Sequence, residues 1–126
     1  MHFASLVLGV LAPSTVMADW LETTWECDAD FFVMCGASSR PYSHFHTDFG
    51  SYYYGRFSYG GCHSTGVPGM TEFCIDWDRG RAHFKFGHQN SKRCLVKNRA
   101  GTRFTDDSCD AIECWRDVWN EVPCTW

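Results

Sequence analysis

The sequence predicts a small single domain, mainly β, stapled by disulfides around a central hairpin, with at most one short helix. Three observations carry this. Eight cysteines in 126 residues match the disulfide density of small secreted domains. The chain holds 10 Phe, 6 Trp and 5 Tyr, residue types that favour strands and are scarce in disordered, coiled-coil and collagen-like chains. The segment from Glu72 to Phe86 alternates apolar and charged residues with the period of a strand.

The elements follow in order. Residues 1–18 read as a secretory signal. The apolar run from Phe3 to Ala12 is too short to span a bilayer, which takes about 20 residues. It is followed by Pro13-Ser14-Thr15 and by small residues suited to cleavage after Ala18. The stretch before the run carries His2 but no Lys or Arg. Residues 19–126 are then the cysteine-rich domain, with no internal repeat and no dividing linker. His44-Phe45-His46-Thr47-Asp48 reads as extended, with a Phe45/Phe49 stripe behind its polar face. Ser51 to Gly61 lacks any aliphatic residue and reads as one or two strands joined by glycine turns. The hairpin is expected to turn at Arg79-Gly80, pairing Trp77 with Ala82, Ile75 with Phe84 and Phe73 with Phe86. That register puts Asp78, Asp76 and Cys74 opposite Arg81, His83 and Lys85 on the other face. Arg93–Lys97 is a strand, Asn98–Gly101 its turn, and Thr102–Thr105 pairs back. Thr105 to Ser108 offer caps for a helical turn through Cys109–Ile112. The tail from Cys114 fits a helix through Ile112, Trp115, Trp119 and Val122. It also fits a strand whose inner face holds Val118, Val122, Cys124 and Trp126. β-Branched and aromatic content favours the strand, and Pro123 marks an edge or its end.

The export signal decides how the cysteines are read. Cys27, Cys35, Cys62, Cys74, Cys94, Cys109, Cys114 and Cys124 contain no C-x-x-C pair, so neither a zinc ribbon nor a thioredoxin-type motif is offered. An even set in an oxidising route implies four disulfides whose connectivity the spacing leaves open. No Asn-x-Ser/Thr sequon is present. A net charge of −4 disfavours polybasic nucleic-acid binders and the cationic mode of membrane-active toxins.

Few residues are candidates for chemistry. His44, His46 and Asp48 share one face of an extended segment and are a weak candidate set for zinc or copper; a solvated His-rich strand is the plainer reading, and no cofactor is expected. Asp76 opposite His83 offers a cross-strand ion pair, and Asp106-Asp107 sits at a cap position. Tyr52, Tyr53, Tyr54 and Tyr59 form a cluster able to stack on sugars or to anchor a protein contact. No Gly-x-Ser-x-Gly, His-Glu-x-x-His or P-loop occurs.

Tyr42-Ser43-His44 resembles the Tyr-x-His element of secreted fungal guanyl-specific ribonucleases. That resemblance implies an acid–base pair flanking a phosphate, with Tyr42, His44, Glu72, Arg79 (or Arg81) and His88 (or His83) as its residues. At the level of class, the chain resembles the small secreted cysteine-rich effector-like proteins of filamentous fungi. The resemblance rests on the signal, the even cysteine count, Phe73-Cys74-Ile75-Asp76-Trp77-Asp78-Arg79-Gly80-Arg81-Ala82-His83-Phe84 and the closing Val122-Pro123-Cys124-Thr125-Trp126. It implies a protein, extracellular or translocated into host cells, that acts by binding a host protein or glycan; the chain itself is expected to be a monomer. Nucleic acid is a partner only under the ribonuclease alternative. It carries over no catalytic residue.

Overall fold

The computed structural model describes residues 18–27, 41–48, 50–55, 57–98, 101–105, 109 and 113–126. These form an all-β domain with nine strands and no helix among the described residues: β1 (Trp20–Cys27), β2 (Tyr42–His46), β3 (Tyr52–Gly55), β4 (Gly61–His63), β5 (Met70–Asp76), β6 (Arg81–Phe86), β7 (Arg93–Lys97), β8 (Thr102–Phe104) and β9 (Glu113–Val122). Every pairing is antiparallel, in the order β3-β2-β1-β9-β7-β6-β5-β4, with β8 also on β9. The two ends of this order, β3 and β4, are consecutive in the chain. The sheet therefore curls, and Phe57 in the connection between them is fully buried. Its ring stacks on Phe45 at 5.4 Å and meets Phe73 edge-on at 5.0 Å. Phe45 also meets Phe84 at 5.0 Å. Leu21, Val67, Ile75, Ala82, Phe86, Leu95 and Trp119 complete the interior among the described residues. Edge-to-face packing of this kind adds roughly 0.5–1.5 kcal/mol per pair beyond area burial. Gly55 has to be glycine here, since a Cβ would lie 2.6 Å from the Phe57 ring.

The hairpin keeps its predicted faces but not its predicted register. Phe73 pairs with Phe84, Ile75 with Ala82, Cys74 with His83, Glu72 with Lys85 and Asp76 with Arg81. The pairing is displaced by two residues, so the inward and outward sets survive. The cause is the turn, which takes four residues, Trp77 to Gly80, instead of two. Asp76 fixes it by accepting hydrogen bonds from the Arg79 main-chain N–H (3.2 Å) and the Arg79 guanidinium (3.0 Å), while Gly80 takes a φ of 59°. An Asp closing a turn onto the backbone two or three residues on is a local competitor to the tighter loop. A further irregularity falls between Met70 and Glu72. Phe73, Ile75, Phe84 and Phe86 are buried, and Asp78 and Lys85 exposed. Trp77 is only partly buried: it packs edge-on to Trp25 and Trp119 at 5.3 and 5.1 Å and donates its indole N–H to the Ser58 carbonyl. His83 pairs with Glu72 at 3.0 Å, not with Asp76.

Strand β7 falls where the sequence places it. Thr102–Phe104 does pair back, but onto β9 and not onto β7. The tail is a strand and ends at Val122, ahead of Pro123. Its buried side chains are Cys114, Asp117 and Trp119, whereas Val118 and Val122 are only partly buried and Cys124 is exposed. The expected inner face is thus the wrong one. Trp119 takes the core because its N–H finds the Thr23 hydroxyl inside at 3.0 Å, which removes the cost of burying an indole donor. The expected helical turn lies outside the described residues except for Thr105 and Cys109, and so does Phe49. Disulfides join Cys62 to Cys74, Cys94 to Cys124 and Cys109 to Cys114. Cys27 is also disulfide-bonded, and Cys35 lies outside the described residues. Three such bonds in a domain of this size are common among extracellular proteins. Among the described residues, no helix is long and apolar enough to cross a membrane.

Candidate functional site

The outward face of β1, β2 and β3 gathers the residues with most chemical character. Alternation sends Leu21, Phe45 and Tyr53 inward, so it sends Trp20, Glu22, His44, His46, Tyr52 and Tyr54 outward. The register then lines them up across the strands in two rows. Glu22 stands opposite His44, which stands opposite Tyr54; Trp20 stands opposite His46, which stands opposite Tyr52. Trp20 and His46 are stacked at 3.6 Å, nearly parallel. The Tyr54 ring meets His44 edge-on at 4.2 Å, and Tyr52 lies 5.9 Å from both His46 and Tyr54. Tyr52 and Tyr54 are 58% and 72% exposed, so this is a platform of rings with its outermost two in solvent.

A charged group adjoins it. Glu22 Oε1 lies 3.7 Å from His44 Nδ1 and 3.2 Å from Arg116 Nε. The Arg116–Glu22 approach is an ion pair by distance but not an aligned hydrogen bond, since Arg116 Nε has no such partner. The guanidinium instead covers the Phe104 ring at 4.1 Å. The Nε2 atoms of His44 and His46 are both shut off from solvent and unpaired. Burial lowers the His46 pKa, with nearby His44 adding to the fall and Glu22 opposing it. The His46 ring, stacked on Trp20 and beside Tyr52, serves as a support for the tyrosine face.

The predicted site residues are dispersed. Of the ribonuclease set, Tyr42 and His44 share the outward face of β2, but Glu72 is on β5 paired with His83, and Arg79 is in the hairpin turn paired with Asp76. His88 follows β6 and lines a separate cavity beside Phe86. The carboxylate and the cation beside His44 are Glu22 and Arg116, which sequence reading missed. A signal was available in the alternation of Trp20-Leu21-Glu22-Thr23, hidden because the inward positions include threonines. The metal set also comes apart: the ligand atoms of His44, His46 and Asp48 do not converge, and His46 is committed to its stack on Trp20. Glu72, Cys74 and His83 do bring ligand atoms within 4.8 Å, but the Cys74 sulfur is bonded to Cys62 and offers no thiolate. Of the tyrosine cluster, Tyr52 and Tyr54 act together, Tyr53 turns inward against the core, and Tyr59 stands apart near His63.

Comparison with known proteins finds no family model, no curated protein and no solved structure that matches the chain.

Proposed function

We propose that this chain is an exported, effector-type protein that acts on a host by contact and not by catalysis, and that the Tyr52/Tyr54 face holds its target, a host protein or glycan. The observation that carries this is the pair of tyrosines standing far out in solvent, 58% and 72% exposed, on a support of packed rings. Flat rings held in place lose little freedom on binding and dominate contact energy at interfaces. Glu22 and Arg116 at the rim supply polar groups for orientation. The test is capture from host extract, and on a panel of immobilised glycans, by the oxidised protein starting at Asp19. Tyr52→Ala with Tyr54→Ala should weaken capture tenfold or more, about 1.4 kcal/mol. Undiminished capture by that double variant would refute the assignment.

One observation favours a second reading, a ribonuclease-like activity. Tyr42, His44, Glu22 and Arg116 lie on one face, which puts a base, a carboxylate and a guanidinium side by side as phosphodiester cleavage requires. Against it, the Nε2 of His44 is covered, and a general base has to reach within about 2.6–3.2 Å of its proton. Incubation with RNA decides between the two: cleavage that vanishes in His44→Ala would replace the binding reading.

A further inference from the structure

On the opposite flank, Ala18 is exposed and Asp19 is 1% exposed. Three contacts hold Asp19. Its Oδ1 accepts the Asp48 main-chain N–H at 2.7 Å, its Oδ2 lies 3.0 Å from Arg93 Nη1, and its own main-chain nitrogen donates to Glu121 Oε2 at 3.0 Å. Arg93 grips Glu121 with a fork, Nε to Oε1 at 2.8 Å and Nη2 to Oε2 at 2.5 Å. The carboxylates of Asp19 and Glu121 thus share one guanidinium, with the Asp48 carboxylate close enough to act on it electrostatically. The cluster is short of positive charge, and the Asp19 carboxyl is pushed above its ordinary range, first by burial and then by Asp48 and Glu121, against the Asp48 N–H and Arg93. The residue before this buried anchor is the one after which the sequence expects an export cut.

We propose that the Ala18–Asp19 bond is a processing site whose cleavage supplies the missing cation, a free α-ammonium on Asp19 seated on the Glu121 carboxylate. Water adds across the amide under an endopeptidase of the export route. The C–N bond breaks, a C–O bond forms on Ala18 to give its carboxyl group, and the Asp19 nitrogen takes up protons to become an ammonium. That nitrogen is already in place. Cleavage turns an N–H···O⁻ bond charged only at its acceptor into an ion pair charged on both sides. A cut one residue later would instead remove the buried carboxylate and leave Arg93 with Glu121 alone.

The charged and titratable groups around the new terminus are the Asp19 carboxyl itself, Glu121 from β9, Arg93 from β7, Asp48 after β2, and His88 across the cavity that Asp19, Asp48 and Arg93 line. Carboxylates outnumber the cation, so the ammonium should titrate above the usual α-amino value of about 7.7–8.0. Its contribution is then complete below that pH and disappears as pH rises through the higher folded value.

The test compares four oxidised proteins: the chain starting at Asp19, the same chain α-N-acetylated, the chain with Gly-Ser ahead of Asp19, and Glu121→Gln with the native start. At pH 6 the native start should melt about 4 °C or more above the acetylated and extended forms. The gap should stay constant below the ordinary α-amino value of about 7.7–8.0 and close as pH rises through the raised folded value, where the amine becomes neutral. Acetylation keeps the N–H donor and leaves Arg93 untouched, so the comparison stands even if Glu121→Gln folds poorly. Terminal sequencing of protein exported by a eukaryotic host should begin at Asp19. Equal melting at pH 6, a gap indifferent to pH, or a different first residue would each overturn the proposal.

Discussion

Phe84→Ala tests the architecture at its centre. Phe84 is fully buried on β6, between β5 and β7. Its ring meets Phe45 edge-on at 5.0 Å and Phe86 at 5.8 Å, and the Arg93 guanidinium lies over it at 5.0 Å. Truncation of a buried Phe costs about 3–5 kcal/mol, the upper end where the surroundings cannot collapse into the space. Here hydrogen-bonded strands on both sides, and the Cys94–Cys124 bridge on the neighbouring strand, hold the walls apart, so about 4 kcal/mol is expected. Urea unfolding of the oxidised protein, followed by tryptophan fluorescence, gives the number, with an unchanged slope showing that the unfolded state is the same. Lys85→Ala, at the exposed next position, should stay within about 0.5 kcal/mol. A loss below about 1.5 kcal/mol for Phe84→Ala, or an equal loss for Lys85→Ala, would refute the placement of the ring at the core.

Other expectations are as direct. Thr23→Val leaves the Trp119 indole N–H buried without its acceptor, and should cost about 1–3 kcal/mol by thermal or urea unfolding. All eight cysteines are expected to be oxidised, with a non-reduced mass about eight hydrogens below the reduced one and peptides linked as Cys62–Cys74, Cys94–Cys124 and Cys109–Cys114; any thiol open to alkylation would contradict this. The His46 pKa is lowered by burial, so its contribution is present above about pH 6.5 and is lost as pH falls through the depressed folded value. Melting temperature should therefore decline on acidification below that pH, and His46→Gln should flatten the decline. Asp76 is held below the usual carboxylate range, first by the Arg79 guanidinium and then by the Arg79 N–H. The hairpin turn should accordingly hold above about pH 3.9 and loosen as pH falls further, visible as faster amide exchange at Arg79.

How much of this could be read from the chain depends on where each signal resides. A face is encoded by every second residue, so the hairpin's inner set survived even though its pairing was displaced by two. A register depends on the turn, and the turn depended on the Asp76 side chain, whose hydrogen bonds leave no periodic trace. β1 was missed because Thr23 and Thr24 are buried, which breaks the apolar alternation that marks a strand. The alternation of Val118, Val122, Cys124 and Trp126 points to one inner face, but Trp119 takes the interior because Thr23 accepts its N–H. Pairing of remote residues is not local at all. Glu22 reaches His44 and Arg116 only because β1 lies between β2 and β9, so the group beside His44 could not be assembled from spacing.

The same arrangement explains why the ring face and the core are separate parts of one object. Along β2, Phe45 points in and His44 and His46 point out; along β3, Tyr53 points in and Tyr52 and Tyr54 point out. Each outward ring is thus carried by a strand whose neighbouring side chain is locked in the interior. Phe45 stacked on Phe57, with Phe57 closing the gap between the two sheet ends, fixes the strand that bears the histidines. Trp20 under His46 and His44 under Tyr54 then pass that rigidity outward to the solvent. Neither exposed tyrosine lies in the interior cluster, so replacing them leaves the packing beneath intact. A disulfide-stapled sheet with an outer layer of rings that the core does not need separates the stability of the fold from the composition of this face.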